Sequence, residues 1–555
     1  MNELLPKTLT RPLHLILLLS ASLLFFLHTV HLTADFPNYS PWMDWSKYTD
    51  EGWYGDAAIR HFQLGHWYVA GDFNPAAALP VWPFLEALVF RYAGVSIVAA
   101  RGLSVAVFAA ILACSWLLVN RSTSLFAQRR RHDSPLAASA VVLLLAASPF
   151  CFVFTRLAIL EPLLILITLL CLLGATLAHA PTVDTSKWSK LVAQNWLSVG
   201  ALGVLLPLLV LTKTTALFLI PAIAWMLFAA VGYRIRYLIG VGLPAAGIGL
   251  ALWLAYFLVL VRPHFLLDYR YLFSANAYTG ITLENFAGVI IDTVRDGLWM
   301  GNRMYPLALL AGASVLVVAV KDFRILLEYP LIPTLALWAG GYAAFLAYHD
   351  NLQPRYYLVI AVPLTLLLVV VLEEWVVTRL RQPLGLVIGA AILMAILIPD
   401  VRETVHYVRH PEYTLVGAAS KINAYIAEDR RQDPTHNPLV LSISGSDLSL
   451  MTGVHSICDD FGTLELEERV KKYRPGWYVA WNQIDDDKMD ALTPLFHIER
   501  VAAFPAMDDP DRNLLILYRL DDTIHTPARP RRGKPTPRAL RTKVGQQPST
   551  NQLEH

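Results

Sequence analysis

Long apolar runs recur along most of this chain and constrain its fold more than any other feature. A transmembrane helix needs about 20 consecutive apolar residues, so the chain has room for about eleven spans. We predict spans over residues 13–30, 97–119, 135–154, 160–179, 197–211, 214–232, 237–261, 304–320, 328–347, 355–377 and 383–399. A further run, 79–93, is expected to form a re-entrant or surface helix. The fold class is a polytopic α-helical membrane protein.

The composition excludes the main alternatives. Of the 555 residues, 55% are hydrophobic and 16% are charged, against about 25% charged residues in an average soluble domain. The mean hydropathy is +0.47. A disordered chain and an ordinary soluble enzyme are therefore excluded. The net charge of +2 creates no strong field, so a nucleic-acid partner is not expected.

The distribution of Lys and Arg predicts the orientation of the spans. Basic residues lie before the first run and in the links 128–132, 233–236, 321–324 and 378–381. These positions fall together on the cytoplasmic side if 79–93 stays out of the bilayer. In this orientation, the segments predicted to lie on the outer side are residues 31–96, the turns near 155–161 and 212–214, the loop 262–303, the turn 348–355 and everything after about 400. We expect a multi-pass protein of the cell inner membrane, in contact with membrane lipids.

The last quarter of the chain differs from the rest. Residues 1–411 are predicted to form the multi-span domain with external loops 31–96 and 262–303, and 412–522 a small α/β domain on the outer, periplasmic side. Helical patterns at 414–427, 464–473 and 486–495 alternate there with strand-like runs at 439–443, 477–481, 498–504 and 514–518. The basic, Pro-rich tail 523–555 is predicted to be disordered.

A carboxylate pair, Asp50-Glu51, opens a helical pattern in the first external loop. Thr49 is a suitable N-cap residue, and acidic side chains are favourable in a first helical turn. One interpretation is therefore purely structural. The other is functional, since a carboxylate pair at the membrane surface can accept a proton or hold a cation.

Two further ionisable residues lie between apolar runs. A carboxylate at membrane depth is costly and marks a functional candidate, but Glu161 precedes Pro162 and could simply start a helix. Lys213 lies in an outward turn, where it suits a lipid phosphate or only snorkels to the interface. Arg270, flanked by tyrosines, and Arg355, at the outer start of a span, could bind a phosphate or remain solvated.

Metal, redox and hydrolase motifs are weak or absent. Glu51, His61 and His66 are the only candidates for a metal site, and the histidine spacing of five fits no zinc template. The sequence therefore leaves open whether a divalent metal ion is a cofactor. The four cysteines contain no CxxC pair, and neither GxSxG nor GxxxxGK[ST] occurs.

Several blocks, in this order, resemble one family. They are Asp50-Glu51-Gly52 with Tyr54 and Ala57-Ala58, the stretch 90–96 with 100–103, the acidic turn 156–162, Leu211-Thr212-Lys213, and Arg355-Tyr356-Tyr357-Leu358 with Pro363. Together they resemble the GT-C membrane glycosyltransferases, in the branch of the protein O-mannosyltransferases and the aminoarabinose transferase of lipid A. The resemblance implies sugar transfer from a dolichyl- or undecaprenyl-phosphate donor.

The resemblance also implies roles for the residues of these blocks. Asp50 would be the base, Glu51 would orient it or balance its charge, and Glu161 would position the acceptor or tune Asp50. Lys213 with Arg270 or Arg355 would neutralise the donor phosphate. Arg156 and Tyr356 complete the substrate-binding candidates. Direct attack on the sugar would invert its configuration.

Three departures leave the sugar and the acceptor open. Glu161 stands where the family usually has Asp, the segment 78–83 lacks the Lys-Pro-Pro pattern of the aminoarabinose transferase, and the loop 262–303 is too short for the lumenal domain of the mannosyltransferases. The sugar could be a hexose or a pentose, and the acceptor a lipid, a glycan or a protein.

Two other functions are compatible with the same spans. A transporter or flippase for lipid-linked glycans would share the basic sites, but it favours short loops and paired repeats, and no convincing repeat occurs here. A non-catalytic membrane assembly protein acting through its C-terminal domain is the third hypothesis.

Overall fold

The computed structural model describes residues 7–126, 135–180, 188–275, 284–349, 352–378, 380, 384–507 and 512–523. The predicted tail beyond Thr523 lies outside the described residues, as do the basic link 128–132 and the arginines of the link 378–381. All statements below concern the described part of the chain.

Helices dominate the first 410 residues. The α-helices are α1 (Lys7–Leu27), α2 (Asp50–Leu64), α3 (Val81–Ala93), α4 (Ile97–Phe126), α5 (Pro135–Ala147), α6 (Pro149–Phe154), α7 (Leu160–Ala175), α8 (Trp188–Gln194), α9 (Trp196–Thr212), α10 (Ile220–Ala230), α11 (Ile235–Tyr256), α12 (Leu266–Ala275), α13 (Phe286–Asp296), α14 (Met304–Lys321), α15 (Arg324–Glu328), α16 (Leu331–Tyr348), α17 (Leu358–Val371) and α18 (Leu384–Arg409). Short 3-10 turns include Trp45–Lys47, Pro75–Ala77, Thr214–Leu219, Gly297–Met300 and Pro354–Tyr357, and π-helical turns extend α11 and α17.

The predicted apolar runs all coincide with helices. Within the described residues, 6 helical segments are long and apolar enough to cross a membrane, and the bent pair α8–α9 could be a further span. Shorter apolar helices occupy Arg11–Leu27, Leu136–Ala147, Leu160–Ala175 and Thr214–Ala230. The polytopic helical architecture is confirmed, while the span number of about eleven stays a prediction.

Burial separates inner helices from lipid-facing ones. α17 is buried along its whole length, and α7 is buried at most positions. Both are apolar all round, which is typical of helices at the centre of a bundle. α11 instead exposes Ile239, Leu243 and Leu250. Exposed leucine and isoleucine at helical spacing are expected of a helix that faces lipid tails.

The stretch 79–93 forms α3, a helix of 13 residues that is too short to cross a bilayer about 30 Å thick. It packs against α2 and the start of α4. Trp82 and Phe90 are buried in this contact. The run therefore builds the surface layer that supports α2.

The C-terminal part contains a mixed sheet between two helical layers. Its elements are α19 (Thr414–Gln432), β1 (Val440–Leu441), α20 (Gly445–Thr452), β2 (Ser456–Ile457), α21 (Leu466–Tyr473), β3 (Trp477–Trp481), α22 (Asp486–Leu492), β4 (Phe496–Pro505) and β5 (Leu514–Asp522). The strand order is β2-β1-β3-β5-β4. β1 runs parallel to β2 and β3, and β5 runs antiparallel to β3 and β4. The predicted C-terminal α/β fold is confirmed, with α20 and β2 as elements that were not predicted.

The side chains of β3 point alternately to two small hydrophobic cores, one on each face of the sheet. Trp477 and Val479 face α19, whereas Tyr478 faces α21 and α22. Successive side chains of a strand point to opposite faces. Each face of the sheet is therefore covered by helix.

Segments predicted to share the outer side meet at one end of the helical bundle. The first loop contacts the turns near 158 and 355, and α2 packs along α20. On the other side, the Tyr233 hydroxyl donates to the Leu327 carbonyl, which joins two links predicted to be cytoplasmic. The first loop therefore contacts both the helical bundle and the C-terminal part of the chain.

Candidate functional site

The start of α2 carries the carboxylate pair into the interior. Asp50 and Glu51 occupy the first turn and are both buried. The Thr49 hydroxyl donates to Asp50 Oδ1 over 3.1 Å. Asp50 Oδ2 lies 2.6 Å from a terminal nitrogen of Arg355. The helix therefore presents Asp50 to a cation from a distant part of the chain.

Arg355 lies in the 3-10 turn before α17 and is buried. Its side chain contacts Asp44 Oδ1 at 2.5 Å, and its backbone N–H donates to Asp44 Oδ2 over 2.9 Å. Asp44 also caps the turn Trp45–Lys47 by accepting from the Ser46 N–H. The guanidinium is thus held between Asp44 and Asp50.

A second buried ion pair adjoins the first. Lys213, which follows α9, donates to Glu161 Oε1 in the first turn of α7. Glu161 Oε1 lies 4.0 Å from Arg355 Nε, and the Lys213 ammonium lies 4.2 Å from the ring centre of Tyr356. We call Asp44, Asp50, Glu161, Lys213 and Arg355 the ion cluster. It joins four segments that are far apart in the sequence.

Three carboxylates face two cations in the ion cluster. Burial raises the pKa of the Asp50 carboxyl to about 6; Arg355 opposes the rise, whereas Asp44 and Glu161 add to it. A carboxylate with a raised pKa is a better general base than an ordinary one. The cluster therefore suits proton transfer near neutral pH.

Glu161 also offers an unused acceptor. Its Oε2 is buried and has no hydrogen-bond partner in the described part of the chain. Buried polar atoms without a partner are uncommon in proteins. Oε2 is thus available for a hydroxyl or amine of a bound molecule.

Glu51 makes different contacts from Asp50. Arg101 of α4 binds it with two nitrogens, over 2.8 and 2.5 Å, and the Ala158 N–H donates to Glu51 Oε1 over 2.9 Å. Arg101 also donates to the carbonyls of Leu32 and Ala34. Glu51 therefore connects α2 to α4 and to the turn before α7, which fixes where the helix begins.

A separate network anchors the rest of α2 to the C-terminal sheet. Arg60 pairs with Asp56 and Asp72, each at 2.6 Å. Asp72 also accepts from Arg469 over 3.3 Å and from the Cys458 N–H over 3.0 Å. All these side chains are buried. The network holds α2 and the following loop against α21.

Two predicted binding residues lie outside the ion cluster. Arg156 donates to the carbonyls of Val30 and His31 over 2.6 and 2.7 Å and stacks on Phe152. Arg270 is exposed on α12, and no hydrogen bond or ion pair joins it to the cluster in the described structure. Of the two arginines considered as partners for Lys213, the geometry brings in Arg355.

The candidate metal ligands do not come together. No group of three or more His, Cys, Asp or Glu side chains suited to a metal occurs among the described residues. Glu51 and His61 are ten positions apart on α2, which separates them by about 15 Å along the axis. His61 stacks on Trp67 at 4.0 Å, and His66 lies beyond the helix end at Gly65. Helix geometry thus explains why these residues form no common site.

Two residues of the site were not among the predicted ones. Asp44 lies only six positions before Asp50 but within an aromatic stretch that shows no helical or strand period. Arg101 interrupts the apolar start of a predicted span. A charge within an apolar run is a functional or pairing signal, so Arg101 was recognisable, whereas Asp44 was not.

The fold has close counterparts among solved structures. ArnT from Cupriavidus metallidurans bound to undecaprenyl phosphate matches with a TM-score of 0.57 and 15% identity, over 91% of this chain and 97% of that chain. The Archaeoglobus fulgidus oligosaccharyltransferase AglB, in complex with an inhibitory peptide and dolichol phosphate, matches with a TM-score of 0.50 and 12% identity, over 84% and 69%. No model of a protein family and no curated protein sequence matches. The GT-C fold expected from the sequence is confirmed.

Proposed function

We propose that this chain is a membrane glycosyltransferase that moves a sugar from a polyprenyl-phosphate donor to an acceptor. The observation that carries the proposal is the buried ion cluster, in which Asp50, a carboxylate with a raised pKa, pairs with Arg355 and lies next to the Lys213–Glu161 pair. The fold shared with ArnT, which binds undecaprenyl phosphate in its structure, supports a lipid-linked donor.

The donor phosphate is assigned to Lys213 and Arg355. Both are buried and are paired with carboxylates in the ligand-free chain. An anion that enters between them replaces part of this pairing, so the cations need not be desolvated again. Their charge then stabilises the phosphate that accumulates negative charge as it leaves. The Tyr356 ring under Lys213 lines the same position.

The transfer itself is assigned to Asp50 and Glu161. The attacking hydroxyl or amine of the acceptor donates a hydrogen bond to Asp50 and loses that proton to it as it attacks the anomeric carbon. Glu161 Oε2 accepts from a neighbouring hydroxyl or N–H of the same acceptor and so positions it. The new bond to the sugar forms while the bond from the anomeric carbon to the phosphate oxygen breaks. Polyprenyl phosphate leaves, and a single displacement inverts the configuration. Glu51 holds the first turn of α2 in place through Arg101.

The reaction is placed on the outer face of the cell inner membrane. The basic links predict a cytoplasmic side opposite the ion cluster. Because the proposed donor carries its sugar on a lipid, the reaction needs no nucleotide sugar on that face. The acceptor is a lipid, a glycan or a protein, and the sugar is a hexose or a pentose.

The test measures release of undecaprenyl phosphate from a panel of undecaprenyl-phosphoryl sugars carrying mannose, glucose or aminoarabinose. Purified protein in detergent is mixed with each donor and an envelope lipid and protein extract. Asp50→Asn is expected to reduce release by about 1,000-fold, because an amide cannot accept the proton. The exposed Asp292→Asn of α13 is the control and is expected to keep full activity.

Two outcomes contradict the proposal. If D50N releases undecaprenyl phosphate at the wild-type rate, Asp50 is not the base. If the wild-type protein in vesicles moves the lipid-linked sugars across the membrane without releasing undecaprenyl phosphate, the chain is a transporter. Monodisperse elution of D50N in gel filtration shows that the variant is folded.

A further inference from the structure

The end of α18 that extends beyond the predicted span carries basic side chains along one face. The predicted span 383–399 ends near Pro399, and the helix continues to Arg409. Arg402, His406 and Arg409 lie in this extension and are exposed. Residues spaced by four and seven positions share one face of a helix, so the three side chains form a column. We call these three residues the basic stripe.

In the part of the chain that the structure describes, neither arginine of the basic stripe makes an ion pair or a hydrogen bond. The acidic neighbour Glu403 instead accepts from the Tyr407 hydroxyl over 2.9 Å. Membrane proteins keep most Lys and Arg of their short loops on the cytoplasmic side, whereas this stripe follows a span on the side predicted to be external. Its two guanidinium groups therefore indicate an anionic partner from outside the chain.

The opposite face of the extension is fixed to the rest of the protein. The Thr404 hydroxyl donates to the Ala147 carbonyl over 2.8 Å, and the ring centre of the buried Tyr407 lies 5.5 Å from that of Tyr39. The Tyr39 hydroxyl donates to the His410 carbonyl at the helix end over 3.1 Å. These contacts set the rotation of the helix, so the basic stripe points away from the protein before any ligand binds.

An open groove follows the basic stripe. It has a volume of about 700 Å³ and is lined by α18 between Ile398 and His410, and small-molecule sites have volumes of about 300–1,000 Å³. Its bilayer end is apolar, with Ile398 60% exposed, and the positive charge begins at Arg402. A phospholipid has the same order, because its tails lie deeper in the bilayer than its phosphate. The groove therefore matches a lipid head group better than a free anion.

A third guanidinium reaches the bilayer end of the groove from α14. Pro399 has no N–H, so the Ala395 carbonyl lacks its donor within the helix. Arg303, the N-cap residue of α14, donates to this carbonyl over 3.0 Å and remains exposed. Side chains of a helix lean toward its N-terminus, so Arg402 extends back toward Arg303. Both charges lie near the predicted end of the span, at the depth of lipid head groups.

We propose that the basic stripe binds the head group of an anionic phospholipid of the outer leaflet. The planar guanidinium of Arg402 donates to the phosphate with two N–H groups. His406 and Arg409 contact the polar part of the head group that lies farther from the bilayer, and Ile398 contacts the tails. The site is separate from the ion cluster, which contains no residue of α18. The inference does not rest on the proposed function, because its readout is lipid binding.

The experiment measures the binding of phosphatidylglycerol and phosphatidylcholine to the purified, delipidated protein by native mass spectrometry. Wild type is expected to bind phosphatidylglycerol at least about tenfold more tightly, because only this lipid has a net charge. Arg402→Ala combined with Arg409→Ala is expected to weaken its binding about 30-fold, from about fivefold for each basic side chain, and to leave phosphatidylcholine binding unchanged. The control, Arg430→Ala combined with Arg500→Ala, removes two exposed arginines of α19 and β4 and is expected to bind like wild type.

A second double variant separates charge from structure. Arg402→Lys combined with Arg409→Lys keeps both charges and is expected to bind phosphatidylglycerol within about threefold of wild type. Equal affinity of wild type for the two lipids, unchanged affinity in R402A/R409A, the same loss in the control, or binding by the lysine variant as weak as by the alanine variant each overturns the inference. Inorganic phosphate at the same concentration is expected not to displace the lipid; displacement would assign the groove to a free anion and also overturn it. Equal elution of all variants in gel filtration shows that they are folded.

Discussion

Asp50 and Glu51 are neighbours in sequence, yet their surroundings give them different chemistry. Glu51 is held by two nitrogens of Arg101 and by a backbone N–H, so both of its carboxylate oxygens accept hydrogen bonds from the protein. Asp50 shares its cation with Asp44, and its pKa is raised to about 6. These different contacts support the proposal that Asp50 acts as the base and Glu51 holds the first turn of α2.

Removal of the Asp44 charge tests this electrostatic assignment. Asp50 must be deprotonated to act as a base, so activity is expected to fall as the pH drops through about 6. Asp44 raises the pKa of Asp50; in Asp44→Asn the pKa therefore falls, and the acid limb of the kcat profile moves to lower pH. The measurement is undecaprenyl phosphate release between pH 4 and 8, with D292N as the control.

An acid limb that stays in place in D44N, or that moves to higher pH, would show that Asp50 does not control the reaction. The KM for the donor is expected to rise in the same variant, because Asp44 holds the Arg355 side chain in position and Arg355 loses this fixed carboxylate. The two effects are separable, since one concerns the pH dependence and the other the donor concentration.

Several of the predicted site residues interrupt or border apolar sequence, and their role in a site stays a prediction. Asp50, Glu161, Lys213 and Arg355 were each proposed from such positions, and the structure brings the four together. Asp44 was not predicted because it lies in a segment without periodic apolar residues, where a carboxylate is expected to be solvated. Only tertiary contacts bury it, and a single sequence carries no signal for those contacts.

At the scale of elements, the hydrophobic period and the length of each helix or strand determined whether it could be predicted. The apolar runs and the longer C-terminal strands were found because each sustains one period over many residues. α20 spans 8 residues and β2 spans 2, which is too short for either period to stand out. The contact of α20 with α2 therefore could not be foreseen, although it determines the position of the site.

The substitution Gly52→Ala, which adds one methyl group, tests the contact between α2 and α20. In Gly52→Ala the new Cβ meets the backbone of Ser446 and Asp447, and backbone cannot yield as a flexible side chain does. We expect a loss of about 3 kcal/mol in unfolding free energy and at least about a tenfold loss of transfer. Thermal unfolding in detergent and the donor assay measure the two effects.

Gly102→Ala is the matched control, because Gly102 lies in α4 and a Cβ there meets nothing within 4 Å. Alanine favours helix by up to about 1 kcal/mol over glycine, so this variant is expected to be as stable as wild type or slightly more so. Equal behaviour of G52A and G102A would show that α2 and α20 are not in tight contact.

At the scale of the whole molecule, the helical bundle and the C-terminal sheet are joined through one buried network. Asp72 belongs to the first loop but accepts from Arg60 on α2 and from Arg469 on α21. That these loops share one side of the membrane is a prediction from the basic links, because charge distribution sets topology. The packing of the sheet onto α2 was not, since it depends on side-chain complementarity between segments about 390 residues apart.

Asp72→Ala tests whether the two parts unfold as one unit. The change leaves Arg469 without its carboxylate and Arg60 with Asp56 alone, and breaking a buried ion pair costs about 3–5 kcal/mol. We expect a lower unfolding temperature in detergent and faster tryptic release of the C-terminal part. The control Glu467→Ala removes an exposed partner of Lys471 and is expected to change stability by less than about 0.5 kcal/mol. If D72A and E467A melt and digest alike, the network does not couple the sheet to the bundle.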